Sequence, residues 1–573
     1  MTIHNSEIAD IFSQLADLLE IANENPFRIR AYRNAARIIT GLSKNAAELI
    51  KEGKDLTELP GIGKDLAEKI KTIIKTGKLP LLTKTQKMFP PILTELLKIE
   101  ALGPKRVQIL YKKLKIKNLN DLKKAISAGK LRKIKGFGEK TEQKILASMQ
   151  HVKEYSKRTK LQDAIPIVKS LMDYINQCKS IKQMECAGSF RRRKETVGDI
   201  DIIASSNDNK KVIDYFVRFN EIEKILSQGD TRSTVRLHSG LQVDLRVVPP
   251  ESYGAALLYF TGSKAHNIAI RKMAQQKKLK INEYGLFKGK KMLAGKTERE
   301  MYKQIGLTYV EPEMREDLGE IELAKKNKLP TLITLNDIRG DLHCHTKATD
   351  GTASIEVIVN KARELNYDYI AITDHSKHLT IAHGLNEKSL LAQIKQIDKL
   401  NAKLKNIVIL KSIEVDILEN GTLDLSNDVL KELDFTVCSI HSNFHLSSAK
   451  QTDRILKAMD NPYFNILAHP TGRLINQRQP YEVDLEKIMV NAKEKNCILE
   501  LNAQPDRMDL DDVHCKIANE IGVKIAISTD AHNIAQMNNM PFGIDQARRA
   551  WLSASDVVNT YSLSKLLKLF KRN

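Results

Sequence analysis

The sequence predicts a multidomain α/β protein with a helical N-terminal part, a mixed α/β middle and a C-terminal βα barrel. Three observations carry that reading. The 573 residues exceed what one core supports, since domains average roughly 150 residues. Hydrophobic spacing changes near residue 156 from a helical period to short β-branched runs, and after residue 337 to apolar strands alternating with helical segments. Charge changes as well: residues 1–336 hold 63 basic and 39 acidic residues, whereas 337–573 hold 29 and 31. The basic first part suits a polyanion, and the near-neutral remainder reads as a different domain.

Hydrophobic residues at 42% and charged residues at 28% are ordinary for a soluble globular chain. No run of ~18 apolar residues is present, which excludes a membrane span. The start, MTIHNSEIADIFSQ, lacks the basic-then-apolar order of a secretory signal, so a cytoplasmic protein is expected. Cys178, Cys186, Cys344, Cys438, Cys497 and Cys515 form no CxxC pair and are expected as reduced, buried thiols. Ten of the 14 histidines follow residue 340, a clustering that fits a metal site but also loops and cores.

Residues 1–80 and 81–155 are expected as two helical domains. Ile8, Ile11, Phe12, Leu15, Leu18 and Leu19 recur at helical spacing. One pattern then occurs three times, as PGIGKDLAEKI (60–70), EALGPKRVQIL (100–110) and KGFGEKTEQKI (135–145), each a tight glycine turn before a basic amphipathic helix. These segments resemble helix-hairpin-helix motifs. Gly61, Gly63, Gly103, Gly136 and Gly138 would let the backbone approach a phosphate, and a helix N-terminus such as that at Lys64 offers free amides to it. Phosphate contacts position a duplex without reading its bases, so binding to DNA by structure is expected. The middle copy has Ala101 where a first glycine belongs.

Between 156 and 250, DIDIIAS (199–205) and LQVDLRVVP (241–249) are strand candidates. Gly188-Ser189-Phe190-Arg191-Arg192 precedes Asp199-Ile200-Asp201, and Asp244 follows. On a strand Asp199 and Asp201 share a face. With a third carboxylate on a neighbouring strand they form a site for two divalent ions, the arrangement phosphoryl transfer uses. Oxygen ligands and phosphate substrates favour Mg²⁺. The Gly-Ser turn offers an amide and a hydroxyl to a triphosphate, with Arg192 as a charged clamp.

Together with Tyr259-Phe260-Thr261-Gly262-Ser263 and Ile281-Asn282-Glu283-Tyr284, these residues resemble the family X DNA polymerases over residues 1–315. The resemblance implies a nucleotidyltransferase palm (156–250) and a small thumb (251–315). It implies that Asp199, Asp201 and Asp244 are catalytic and hold two Mg²⁺, with Asp244 the proton acceptor nearest the primer 3′-hydroxyl. Gly188, Ser189, Arg192 and Gly198 then contact the triphosphate. Tyr259, Phe260 and Gly262 flank the sugar, and Asn267 and Arg271 lie on the minor-groove side of the nascent pair. Two departures add positive charge beside nucleotide and template: Arg193 where a glycine is familiar and Lys264 where an aspartate is familiar. Lys69 matches a Schiff-base lysine that removes a 5′-deoxyribose phosphate. Tyr32 and Arg33 fit its surroundings, while Arg28 stands where a lysine is familiar.

Residues 316–336 read as a charged linker. Beyond them the runs YIAIT, IVILKSIEV, FTVCSI, FNILAHP, CILELNA and KIAIST read as strands of a βα barrel over 337–573. Asp341-Leu342-His343-Cys344-His345, Asp350, Thr373-Asp374-His375, Glu414, His441, His469 and Thr529-Asp530-Ala531-His532 punctuate it. Imidazole mixed with carboxylate suits Mn²⁺, Zn²⁺ or Fe²⁺, and two or three such ions would hydrolyse a phosphoester. The succession resembles PHP (polymerase and histidinol phosphatase) domains. The resemblance implies the ligand set His343, His345, Asp350, His375, Glu414, His441, His469, Asp530 and His532, and leaves His378, His383, His445 and His514 outside it.

The whole reads as a monomeric DNA-directed DNA polymerase that fills short gaps in repair, acting on gapped or primer-template DNA and dNTPs. Its barrel is expected to act as a 3′→5′ exonuclease or 3′-end phosphoesterase, with incision at abasic sites. The alternatives are a small-molecule phosphatase fused to a DNA-binding arm, and a non-catalytic DNA end-binding protein.

Overall fold

Spacing of three and four places Ile8, Phe12, Leu15 and Leu19 on one face of α1 (Asn5–Ile21), and all four are buried. Proline at the first helical position opens α2 (Pro26–Thr40), whose Tyr32 packs on Phe12 with ring centroids 5.7 Å apart. The computed structural model describes residues 5–571 except 23, 41–45, 52, 60, 90–95, 97–101, 103, 117–118, 133, 135–136, 139–144 and 146–157. The chain divides into two compact units, Met1–Arg158 and Thr159–Asn573.

In the first unit, α3 (Lys64–Thr76) buries Leu66, Ala67, Ile70 and Ile73 and turns Lys64, Lys71 and Lys75 outward. It begins on Gly63 and ends on Gly77 in the left-handed region. α4 (Pro104–Leu114) sends the Gln108 amide to the Ile21 carbonyl at 2.6 Å. Buried residues from Ile8 to Ile145 form one apolar cluster, so 1–80 and 81–155 share a core among the described residues. Short helices with one apolar face each are stabilised mainly by such packing.

The second unit starts with a five-stranded palm sheet. Its strands are β1 (Ile181–Cys186), β2 (Asp199–Ser206), β3 (Ile222–Gln228), β4 (Arg232–Leu237) and β5 (Gln242–Val248), in the order β1-β2-β5-β4-β3. β2 and β5 are parallel and the other pairs antiparallel. Ile200, Ile202, Ala204, Val243, Leu245 and Val247 belong to one core cluster. Alternation then leaves Asp199 and Asp201 to the opposite face of β2. The thumb follows, with α5 (Tyr253–Thr261), α6 (Lys264–Gln276) and a small antiparallel sheet over 280–294.

The stretch 316–336, expected as a linker, is folded. Glu320–Lys325 is helical, and Ile321, Ala324 and Leu332 join the thumb core. Two of its acidic residues have partners inside the unit: Glu320, fully buried, hydrogen-bonds His266 Nδ1 at 2.6 Å, and Glu316 pairs with Arg192 Nε at 3.0 Å. A charged run looks solvated in sequence because the partners it meets are remote in the chain.

The barrel is parallel throughout: β6 (Gly340–Asp341), β7 (Tyr369–Ile372), β8 (Val408–Lys411), β9 (Glu414–Asp416), β10 (Val437–Ser439), β11 (Ile466–Leu467), β12 (Ile498–Asn502) and β13 (Ile525–Ser528). The bridge His375↔Glu414 joins its two sheets, and Cys344↔Ala531 closes the ring. Tyr369, Leu410, Val437, Ile466 and Ala526 fill the interior with Leu566 and Phe570 of the last helix, and Phe570 stacks on Phe435 at 4.4 Å. Chain ends at the carboxyl side of the strands are left for chemistry. Among the described residues no helix is long and apolar enough to cross a membrane. All six cysteines are buried and free.

Candidate active sites

Parallel pairing of β2 with β5 sets Asp201 directly beside Asp244, with Asp199 two residues earlier on the same face of β2. Gly188 has φ +62°, and a Cβ there would lie 2.7 Å from Asp201 Oδ2. Only glycine lets this turn reach the carboxylate. Burial, and then the charges of Asp199 and Asp244, push Asp201 up to about 7. Burial also opposes the charge of Asp244, but Thr234 Oγ1 (2.6 Å), Arg232 Nη2 (2.8 Å) and Gln242 Nε2 (2.9 Å) donate to it and hold it below its ordinary value. Three crowded carboxylates, one of them pushed up by burial and by the charges of the other two, form an oxygen donor set short of positive charge, which fits divalent cations.

Ser189 lies on the short helical turn after Gly188, and Gly198 is exposed just before β2. Arg192 ends that turn with Nε on Glu316 Oε1 at 3.0 Å and Nη1 on the Thr261 carbonyl. Gly262, at φ +71°, separates α5 from α6. At the end of α5 the Arg271 guanidinium lies 5.0 Å from the Tyr259 ring and that of Arg246 4.2 Å from Phe260. Asn267 Nδ2 donates to the Tyr259 carbonyl at 2.6 Å. Lys264 is exposed at the start of α6. Arg193, expected to add charge beside the nucleotide, instead faces Asp545 Oδ1 at 3.7 Å.

In the barrel all nine expected ligands converge. His345, Asp350, His375 and His532 offer atoms within 4.8 Å of one another, as do His343, His345 and Asp530, and His375, Glu414 and His441. His469 Nε2 lies 3.1 Å from Glu414 Oε1. Buried His343 Nε2, His375 Nδ1 and Glu414 Oε2 make no aligned hydrogen bond, although the Glu414 atom is 3.5 Å from the first and 2.8 Å from the second. Close approach without hydrogen-bond alignment is the behaviour of lone pairs aimed at common cations. Against the cost of burial, Glu414 and neighbouring carboxylates push His375 up to about 10 and His441 up to about 9, while burial and the adjacent imidazoles push His345 down to about 3. Protons held this way are what metals displace.

Family models match along the chain: a helix-hairpin-helix domain at 3–79, a SAM-like helix-hairpin-helix tandem at 93–150, the DNA polymerase beta thumb at 256–316 and the PHP domain at 341–504. The DNA polymerase/3′-5′ exonuclease PolX of Bacillus subtilis (strain 168) is 37% identical over 575 residues, covering 100% of both chains. The chain belongs to the PHP-containing family X DNA polymerases. A probable phosphatase of Thermoanaerobacter sp. (strain X514) is 30% identical over 234 residues, 38% of this chain and 89% of its own. DNA polymerase lambda of Rattus norvegicus is 24% identical over 345 residues, 55% of this chain and 57% of its own.

In this family X polymerase the first glycine turn is intact: Gly61 has φ +95°, and Gly63 and Lys64 are exposed at the start of α3. Gly138 is exposed beside buried Phe137, while Gly103 and Gly136 lie outside the described residues. Lys69 is ion-paired with Asp65 one helical turn before it. Arg33 is engaged by Asp17 at 2.9 Å and Glu20 at 2.5 Å, and Arg28 by Glu24 at 3.5 Å. Among the described residues these three cations are each held in an ion pair.

Sequence reasoning missed the groups behind the ligands. Glu500 accepts from His343 Nδ1 at 2.7 Å and from the His469 amide at 2.7 Å, and Asp416 pairs with His441 Nδ1 at 3.0 Å. Asn502 Nδ2 donates to Asp530 Oδ2 at 3.0 Å, and Arg507 Nε is 3.6 Å from the same oxygen. The available signal was two polar residues, Glu500 and Asn502, at alternate positions of an apolar strand.

Proposed function

We propose that the palm site fills short gaps in DNA, extending a primer 3′-hydroxyl with dNTPs, and that the barrel hydrolyses 3′-terminal phosphodiesters and also incises DNA at abasic sites. The observation that carries the first reading is the register of Asp201 beside Asp244, facing the glycine turn at Gly188. Two Mg²⁺ held by Asp199, Asp201 and Asp244 would supply charge neutralisation at the triphosphate and the attacking oxygen. The chain's own groups do the rest. The Gly188-Ser189 turn and Arg192 orient the triphosphate, Tyr259 and Phe260 crowd a 2′-hydroxyl, and Asn267 and Arg271 support the nascent pair. Thr234, Arg232 and Gln242 keep Asp244 ionised and fixed, so that it can take the hydroxyl proton. On one-nucleotide gapped DNA with Mg²⁺, Asp199→Ala/Asp201→Ala is expected to lower extension by about 10³-fold or more. Extension equal to that of the unaltered chain would end this reading.

For the barrel, the buried, unaligned donor atoms of His343, His375 and Glu414 carry the proposal. Two or three Mn²⁺, Zn²⁺ or Fe²⁺ held by the nine ligands would supply an activated water and polarise the phosphate. Arg507, whose Nε is 3.6 Å from Asp530 Oδ2, would offer its charge to a phosphate oxygen. Joined to a DNA polymerase, such a site has a DNA end within its own chain's substrate, and the PolX relative is named as an exonuclease. The probable-phosphatase relatives favour a second reading, a small phosphomonoester. Hydrolysis of a 3′-terminal oligonucleotide and of histidinol phosphate, each with unaltered chain and His343→Ala, separates them: a His343-dependent rate on the monoester alone would overturn the DNA reading.

A further inference from the structure

The segment that carries the triphosphate clamp is anchored in the barrel. α7 (Asp512–Ile521) and α8 (Met540–Arg549) are barrel helices, and Arg549, the last residue of α8, has a side chain only 2% exposed. Its Nη1 donates to the backbone carbonyl of Arg192 at 2.7 Å. Nη1 and Nη2 both lie 3.3 Å from Glu316 Oε1, and Nη2 donates to Asp512. Glu316 Oε1 is the same oxygen that receives Arg192 Nε at 3.0 Å and faces Lys194 Nζ at 3.4 Å. Burial opposes the charge on Glu316, and Lys194, Arg192 and Arg549 outweigh it. The adjoining residues are tied the same way: Arg193 to Asp545, and Glu195 to Arg473 at 2.6 Å.

From this geometry we infer that Arg549 of the barrel is a positioning residue for nucleotide binding in the palm, acting through Arg192. One guanidinium fixes both the backbone of the clamp residue and the carboxylate that sets the plane of its side chain. A planar fork with five donors can do both at once, which a lysine cannot. The inference also explains Arg193 in place of the familiar glycine: its side chain is turned to the barrel and not to the nucleotide. It rests on the reading of Arg192 as the triphosphate clamp.

The test is a double-mutant cycle in the full-length chain, with dNTP KM and kcat measured separately on one-nucleotide gapped DNA and the 3′-hydrolysis rate measured alongside. Arg549→Lys is expected to raise dNTP KM about fivefold, the scale of one charge-assisted hydrogen bond, with kcat and 3′ hydrolysis within about twofold. In an Arg192→Ala background, Arg549→Lys should add nothing. Asp512→Asn keeps Arg549 but removes one anchor, and should raise KM about twofold by the same route. An equal fall in both activities, or the same KM increment with and without Arg192, would make Arg549 a structural residue only and overturn the inference. If Arg192→Ala itself leaves KM unchanged, the clamp reading fails first. If Arg192→Ala raises KM and Arg549→Lys does not, the inference alone fails.

Discussion

The palm site and the barrel site both gather carboxylates for divalent cations, yet they are built in opposite ways. The palm trio comes from two adjacent strands in register, on one face of a single sheet, and uses oxygen alone. The barrel set comes from the ends of strands spread from His343 to His532, is largely buried and is mostly imidazole. A site made by register needs only one sheet to be right. A site made by closure of a ring needs the whole domain. The supporting groups differ accordingly: one carboxylate of the palm is held by three uncharged or cationic donors, whereas barrel histidines are held by a further layer of acids, Glu500 and Asp416.

The comparison is sharpened most by removing that layer. Glu500→Gln leaves every ligand in place but loosens the tautomer and orientation of His343, and removes the negative charge beside the His469 amide. We expect 3′ hydrolysis to fall about 30-fold, as for other carboxylates that orient metal-bound histidines, with gap filling unchanged. A rate within twofold of the unaltered chain would show that ring closure alone orients His343. Arg232→Ala is the counterpart in the palm. Thr234 and Gln242 still hold Asp244, so extension is expected to fall about tenfold, with 3′ hydrolysis unaffected, at the low end of such effects. A loss as deep as that of Asp199→Ala/Asp201→Ala would place Arg232 on the substrate.

How far the sequence was legible follows the same division. Asp199, Asp201 and Asp244 were readable because period-two alternation and a strand pair generate their geometry locally. The nine proposed barrel ligands were expected as a series only by resemblance, since nothing local brings His343 to Asp530. Glu500 was passed over because its meaning depends on which residue faces it across the ring. The stretch 316–336 was misread as a linker for the same reason: Glu316 and Glu320 are ordinary surface charges until Arg192, Arg549 and His266 are brought to them. The shared core of residues 8–145 was likewise hidden, because helical periodicity says that a face is buried but not against what.

The smallest expected effect concerns the first unit. Lys69, proposed as the Schiff-base amine, is held by Asp65, the side chain of which is 79% exposed. An i,i+4 ion pair with one partner this exposed is worth only a few tenths of a kcal/mol, so Asp65 can restrain the amine but not block it. Asp65→Asn should therefore raise the borohydride-trapped adduct on an incised abasic duplex by about twofold, and Lys69→Ala should remove it while leaving gap filling and 3′ hydrolysis intact. Trapping that is unchanged in Lys69→Ala would remove the amine from candidacy and leave α3 with its phosphate-facing role alone. The contrast with the two metal sites would then be complete, because catalysis would reside wholly in the second unit and the first would serve only to hold DNA.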